Sequence, residues 1–286
     1  MGLPELARAL EGLEGVDARI EEPLARHTPL RVGGPVELWV VVHTVDALRE
    51  LLRLVRAHSL GFKVHWPFQD WIVRDGGLAG VVVRPGRGFE GLSAEPERPG
   101  AVRLGAATPF GALRAVTAAG PLAALAHWPG TAGALIQDGQ AALLDGTCTE
   151  LRWWSGRSLH TEQIAPGTPM PTVPSSAILV DLCLENNGQP SKLLRRPPPR
   201  PGALFDAPDG GKAAGELNRS HLSGARLRSW RLSETEPGVA VNLGGGTAKD
   251  LLLLMQGVQA RVESERGVSL KARLPVVGAE PGRRDK

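Results

Sequence analysis

Three features of this chain could support chemistry: a glycine-rich turn, the histidines and the cysteines. The turn Gly244–Gly246 precedes an expected helix, as in loops whose backbone N–H groups bind phosphate. It lacks the Lys-Ser/Thr pair that follows the glycines of such loops, so we interpret it as a structural turn. Six of the seven histidines, all but His27, show no Ser, Asp or metal-ligand partner at a suitable spacing. Cys148 and Cys183 show no metal-ligand spacing either, so we expect two buried, reduced thiols and no metal site.

The composition limits the classes of protein to consider. A chain of 286 residues, 42% hydrophobic and 22% charged, is typical of a globular protein with two or three compact domains. A net charge of +3 gives no electrostatic support for nucleic-acid binding. No apolar run reaches the roughly 20 residues that span a membrane. The first residues lack a basic segment followed by an apolar one, so we expect a cytoplasmic protein.

The elements that would position any site alternate in type. A buried strand is predicted at Val36–Val42 and a helix with one apolar face at Asp46–His58, followed by short strands. Further on, the pattern predicts a helix at Pro109–Ala119 and a loop system at His127–Gly146. This mixture predicts an α+β fold.

The end of the chain follows a proline-rich segment that resists regular structure. Thr247 is a good N-cap for a helix that runs to Gly267, and Asp250 completes a capping box. A last strand is predicted at Leu270–Val277.

Four short strings follow one another along the chain: His27-Thr28 through Pro35, Val73–Gly77, Trp128–Thr131 and Val241–Asp250. In this order and spacing they resemble the UDP-N-acetylenolpyruvoylglucosamine reductases, the MurB family. The resemblance extends from about Glu22 to Gly278 and, by length, favours the short subtype.

The resemblance implies a three-part architecture. Two subdomains, residues 1–93 and 94–185, would form an FAD-binding region of the PCMH or vanillyl-alcohol-oxidase type. A linker at 186–201 would lead to an α+β substrate-binding domain at 202–286. The family reaction uses FAD and NADPH to reduce UDP-N-acetylglucosamine enolpyruvate to UDP-N-acetylmuramate, in peptidoglycan precursor synthesis.

The positions that this resemblance assigns to the flavin pyrophosphate differ from the family pattern. The family has a Gly-Gly-Gly-Ser-Asn turn, whose backbone N–H groups approach the phosphates. This chain has Trp66–Asp70: two aromatic residues, a proline without an N–H, and an acidic Asp70 that would bring negative charge toward the phosphates. We expect Trp66 and Phe68 to fill a cavity that a flavin would otherwise occupy, with a new ligand-stacking surface as the alternative.

A second flavin segment of the family, Pro-Gly-Thr-Val-Gly-Gly-Ala, is matched by Pro129–Ala134, where Ala134 replaces a glycine. The matched positions that would line the site if FAD binds are Arg31, Gly33, Gly34, Gly130 and Thr131.

The catalytic positions that the family implies also differ. Ala203 stands at the position of the serine proton donor, Met170 near that of an arginine, and Arg273 near that of a glutamate. Without these groups, proton transfer and stabilisation of the enol-like intermediate are lost. The resemblance therefore predicts a retained scaffold with no intact catalytic residue.

Three functional hypotheses follow. The first is a catalytically silent MurB-like protein that binds a UDP-sugar or another enzyme of cell-wall synthesis. The second is a divergent but active reductase. The third is a structural or interaction module without a ligand.

Overall fold

The computed structural model of the chain describes residues 2–186, 194, 200, 202–206 and 213–282. The helices of this part of the chain are α1 (Leu3–Leu10), α2 (Val45–Ala57), α3 (Gly120–Leu125), α4 (Ala132–Gln137), α5 (Ala213–Arg219) and α6 (Ala248–Arg266). The strands of the first half are β1 (Val16–Pro23), β2 (Pro35–Val42), β3 (Phe62–Val64), β4 (Ile72–Val73), β5 (Leu78–Pro85), β6 (Leu92–Ala94) and β7 (Ala101–Gly105). Those of the second half are β8 (Cys148–Ser155), β9 (Ser158–Gln163), β10 (Ile178–Glu185), β11 (Phe205–Asp206), β12 (Arg226–Leu227), β13 (Trp230–Leu232), β14 (Ala240–Asn242), β15 (Lys271–Ala272) and β16 (Val276–Val277). Helices and strands are mixed along the chain, which confirms the α+β prediction.

Local sequence signals explain the two longest helices. The Thr44 side chain accepts the Ala47 N–H at 3.0 Å and begins α2. Thr247 does the same for α6, accepting the Asp250 N–H at 3.1 Å, which confirms the predicted N-cap. The Asp250 side chain accepts from Arg228 at 2.9 Å instead of completing the predicted capping box. Gly267, in the left-handed conformation at φ +64°, ends α6.

Three sequence predictions are corrected. The segment predicted as a helix at Pro109–Ala119 forms only a 3₁₀ helix, Phe110–Ala115. The predicted loop system at His127–Gly146 contains α4, because Thr131 caps a short helix of small residues that the sequence pattern concealed. The predicted last strand at Leu270–Val277 is two short strands, β15 and β16.

The chain divides into two compact units. Unit 1 comprises Met1–Ile20, Leu38–Gln69 and Gly80–Pro199; unit 2 comprises Glu21–Glu37, Asp70–Ala79 and Arg200–Lys286. The predicted boundaries at residues 93 and 185 stay a prediction. The predicted linker, 186–201, lies almost entirely outside the described residues.

Unit 1 contains an antiparallel five-stranded sheet in the order β6-β7-β10-β8-β9. Its polar face carries Arg103, which pairs with Glu95, Glu150 and Asp181 at 2.7 to 2.8 Å. Burial lowers the pKa of Arg103, but the hydrogen bonds that its guanidinium donates to these carboxylates outweigh that effect, and the net direction is upward. Strands β1, β2, β5 and β3 form a four-stranded sheet in that order.

Unit 2 is built around α6. Its buried face carries Leu251, Leu254, Met255, Val258 and Val262. The small sheet β12-β13-β14 and the pair β11-β15 belong to the same unit. Strand β16 pairs in parallel with β4, Val276 opposite Ile72 and Val277 opposite Val73.

Candidate functional site

In unit 1, Trp66–Gln69 and Pro129–Ala134, the segments that the resemblance aligns with flavin-binding strings, pack directly on each other. Trp66 follows β3 and is 2% exposed. Its indole lies against Gly133 in the first turn of α4: a Cβ added to Gly133 would lie 2.3 Å from the ring carbons. This separation is below any real Cβ contact, so the indole fills the space over the glycine completely.

Side-chain amides hold this contact in place. The Trp66 indole N–H donates to Gln137 Oε1 at 2.8 Å, and Gln137 Nε2 donates to the Val64 carbonyl at 2.9 Å. Gln69 Oε1 accepts the Trp66 backbone N–H at 3.1 Å, while Gln69 Nε2 donates to Asp138 Oδ1 at 2.8 Å. Buried polar groups that are satisfied in this way fix one packing arrangement. No spacing in the sequence pointed to Gln69, Gln137 or Asp138 as partners.

Phe68 lies elsewhere, and the prediction that both aromatic residues fill a cavity is wrong for it. Its side chain is 66% exposed and its backbone has φ +62°. A non-glycine residue in this conformation marks a tight turn. Trp66 and Phe68 lie in one turn, which the Gln69 N–H closes by donating to the Trp66 carbonyl at 3.2 Å.

The position of Asp70 also differs from the expectation that its charge would face the flavin phosphates. Its Oδ2 accepts the Gly202 backbone N–H at 3.1 Å, within unit 2, rather than facing an open phosphate position. Burial raises the pKa of this carboxyl, and the Gly202 hydrogen bond and the Arg273 charge only partly offset that rise. Its Oδ1 is buried with no hydrogen-bond partner among the described residues.

The candidate flavin positions Arg31, Gly33 and Gly34 lie in unit 2. A Cβ on Gly33, at φ +125°, would lie 2.5 Å from Val73 Cβ. A Cβ on Gly34 would lie 2.3 Å from the Asp75 carbonyl oxygen. Arg31 is exposed with φ +54°. Close packing within unit 2 therefore accounts for both glycines without a ligand.

Gly130 and Thr131 lie in unit 1, so the structure does not bring all five candidate positions into one unit. Gly130 has φ +89° and open space around its Cβ position. Thr131 is 1% exposed and caps α4, its Oγ1 accepting the Ala134 N–H at 3.3 Å. Both residues have structural roles in the turn that begins α4.

Two of the three matched catalytic positions are neighbours in unit 2. Ala203 forms an isolated bridge with Val239, and the backbone N–H of Arg273 donates to the carbonyl of Leu204 at 2.9 Å. The Arg273 side chain donates to the Arg200 carbonyl at 3.2 Å. No proton-donating side chain stands at position 203.

Met170 belongs to unit 1, where its backbone N–H donates to Asp145 Oδ1 at 2.9 Å. Its side chain packs partly buried against the hydrophobic core of that unit. A thioether has no positive charge and no strong hydrogen-bond donor, so this position cannot stabilise an anion.

The glycine turn at the start of α6 is filled by the protein's own side chains. Asn242 Oδ1 accepts the N–H groups of Gly244 and Gly246, at 3.0 and 3.1 Å. The Asp75 carboxylate accepts the N–H groups of Ala248 and Lys249, at 2.9 and 3.0 Å. An internal carboxylate thus occupies the helix N-terminus where an anion could bind, which favours the structural interpretation of this turn.

The cysteines offer no reactive thiol. Both are free and buried, and burial raises the pKa of Cys148 to about 12. Within the described ranges, no group of three or more His, Cys, Asp or Glu side chains could hold a metal ion. No helix in that part of the chain is long and apolar enough to cross a membrane.

Comparison with known proteins gives a consistent family. The model of the C-terminal domain of UDP-N-acetylenolpyruvoylglucosamine reductase matches residues 189–277. The reductase of Desulfosudis oleivorans is 29% identical over 298 residues, covering 90% of this chain and 94% of that protein. The reductase of Myxococcus xanthus is 28% identical, covering 96% of each.

The fold agrees with these relatives. The crystal structure of MurB from Thermus caldophilus matches with a TM-score of 0.63 at 21% identity, covering 91% of this chain and 98% of that one. The matched strings, the full-length relatives and the fold agree in order and extent: over most of its length the chain is similar to proteins of the MurB family.

Proposed function

We propose that this chain is a MurB-family protein of peptidoglycan precursor synthesis in which flavin binding and catalysis are lost or severely impaired. Its remaining role would be to bind a UDP-sugar or another enzyme of cell-wall synthesis in the cytoplasm. The observation that carries the proposal is the packing of the Trp66 indole on Gly133.

This packing argues against a flavin because it joins the two segments that would have to contact it. A pyrophosphate needs free backbone N–H groups. At 66–70, Pro67 has none, and the N–H of Trp66 already donates to Gln69. The residues present at these positions do not fit FAD, and we derive no hydride-transfer step through it.

The chemistry is absent from the matched positions as well. Ala203 has no proton to give, and Arg273 is a cation where the family has a carboxylate. Loss of one general acid alone lowers a rate by roughly 10²- to 10⁴-fold. An active reductase, the alternative hypothesis, would therefore need a different proton donor and a different flavin position.

The direct experiment is to purify the chain and record its absorbance near 450 nm, then titrate it with FAD by equilibrium dialysis. We expect a colourless protein with no saturable FAD binding and no NADPH oxidation with UDP-N-acetylglucosamine enolpyruvate. Stoichiometric FAD, or turnover of that substrate, would establish the divergent-enzyme alternative instead.

The Ala203→Ser variant separates loss of one acid from loss of the whole site. Restoring the hydroxyl should not restore NADPH oxidation, because the segment at Trp66–Asp70 is unchanged. Measurable oxidation by this single variant would contradict the proposal.

A thermal-shift measurement with UDP-N-acetylglucosamine tests the remaining role. A ligand that binds only the folded state must raise Tm with concentration. A saturable rise supports retained UDP-sugar binding, whereas no rise at millimolar concentration favours a protein partner or a module without a ligand.

A further inference from the structure

Strand β9 (Ser158–Gln163) is an open edge of the five-stranded sheet in unit 1. It pairs with β8 through six consecutive residue pairs without a register shift, and among the described strands no other pairs with it. All six of its residues are exposed. It contains no proline, lysine or bulge, three of the features by which proteins block strand edges, and its one charged residue at neutral pH is Glu162. Its outer edge is therefore available for pairing.

The hairpin turn determines which backbone groups face outward. Gly156 and Arg157 link Ser155 to Ser158, and Gly156 has φ +63°, as the first central residue of a type II′ turn requires. The residues that flank a two-residue turn form a hydrogen-bonded pair, and such pairs then alternate along the ladder. The N–H and C=O groups of Leu159, Thr161 and Gln163 consequently point away from β8.

We propose that a second copy of this chain pairs with β9 along this edge, antiparallel, with the two-fold axis at Thr161. Thr161 then lies opposite its own copy, and Leu159 lies opposite Gln163 of the partner subunit. Each opposed pair of outward residues exchanges two backbone hydrogen bonds. A two-fold axis is the most common symmetry of soluble homo-oligomers.

Side-chain pairing selects this register over its neighbours, because an imidazole N–H can donate a hydrogen bond to a carboxylate. With the axis at Thr161, His160 lies opposite Glu162 of the partner subunit, in a non-hydrogen-bonded pair where side chains approach most closely. A shift of two residues one way places His160 opposite its own copy, and a shift the other way places Glu162 opposite its own copy. Shifts of one residue are excluded because they would oppose groups already bonded to β8.

The His160 ring is already positioned for this contact. It stacks on Trp153 at a ring separation of 5.6 Å and an interplanar angle of 11°. The Ser158 hydroxyl lies 3.1 Å from its Nε2. Little side-chain freedom is then lost when His160 meets the partner's carboxylate.

The association should be weak, since one strand pair lies at the low end of known interface sizes. Sedimentation equilibrium from about 5 to 500 µM tests it, with a dimer Kd expected on the order of 100 µM. A wild-type chain that stays monomeric throughout this range would overturn the proposal.

Thr161→Pro is the decisive variant, because it removes an N–H that faces the partner and leaves the pairing with β8 intact. We expect it to be monomeric throughout, with unchanged circular dichroism and Tm. Thr161→Val, which keeps the N–H and the β-branched shape, should dimerise as the wild type does. A dimer that Thr161→Pro leaves unaffected uses another surface, and the proposal fails.

A charge swap tests the register. His160→Glu should raise the dimer Kd about tenfold, because two like-charge pairs replace two complementary ones. The double variant His160→Glu with Glu162→His should bring Kd back to within about threefold of the wild type if the two residues are opposed. Failure of the swap to restore dimerisation in a folded protein would refute the register.

Discussion

Two regions of this molecule match glycine-containing strings of the MurB family, and they differ in what occupies the space around those glycines. In unit 2, Gly33 and Gly34 touch Val73 and Asp75, so the protein itself needs them. In unit 1, the Trp66 indole covers Gly133 and fills the space over it. A glycine that matches a ligand-binding string is therefore evidence for a ligand only when no other part of the chain occupies the space next to its Cα.

The largest effect should come from the unit 1 contact. Trp66→Ala removes a fully buried indole and one side-chain hydrogen bond, and should lower the free energy of unfolding by about 4 kcal/mol. Urea denaturation monitored by far-UV circular dichroism measures it. Phe68→Ala is the matched control and should change stability by less than about 0.5 kcal/mol, because Phe68 is exposed. Equal losses in the two variants would show that Trp66 does not hold this contact.

The corresponding change in unit 2 is Gly34→Ala, which places a Cβ 2.3 Å from the Asp75 carbonyl oxygen. Backbone cannot move aside as a flexible side chain can, so we expect a loss of about 3 kcal/mol in urea denaturation. Gly257→Ala, in open space on α6, is the control and should stabilise by about 1 kcal/mol. A neutral Gly34→Ala would leave a bound ligand as the better reason for this glycine.

The carboxylate at the start of α6 provides a smaller effect. Asp75→Ala leaves the Ala248 and Lys249 N–H groups without their acceptor and removes a negative charge from the helix N-terminus. We expect a loss of about 2 kcal/mol, with Asp75→Asn losing less. If Asp75→Ala also creates saturable binding of inorganic phosphate, the N–H groups at the start of α6 can bind an anion once the internal carboxylate is removed.

The smallest effect concerns Asp70 and its pH dependence. Burial raises the pKa of this carboxyl in the folded protein, so folding favours its protonated form. Its contribution to the free energy of unfolding is therefore fully present at pH below its ordinary pKa and is lost as the pH rises through the folded pKa. Asp70→Asn should therefore increase stability relative to the wild type at pH 7 and not at pH 3. Urea denaturation at both pH values checks this, and a variant that is less stable at pH 7 would show that the ionised carboxylate is favourable.

Sequence patterns predicted the regular elements best where one signal dominated. The apolar face of α2 and the Thr247 cap of α6 gave helices within a residue of their bounds. The composition of Pro109–Ala119 predicted an α-helix, but the segment forms only a 3₁₀ helix. Helix α4 was not predicted, because its small residues give no apolar periodicity. Short helices depend on tertiary contacts more than on local preference.

For the candidate site too, some properties follow from the sequence and others only from the tertiary structure. From residue types alone it follows that position 203 cannot donate a proton, that position 273 is a cation and that position 67 has no N–H, because these are properties of the side chains themselves. Only the tertiary structure decided that Trp66 is buried while Phe68, two residues on, is exposed, and that Asp70 accepts a hydrogen bond from Gly202. Such outcomes depend on which distant residues meet, and packing and hydrogen bonding between residues far apart in sequence leave no periodic signal in the chain.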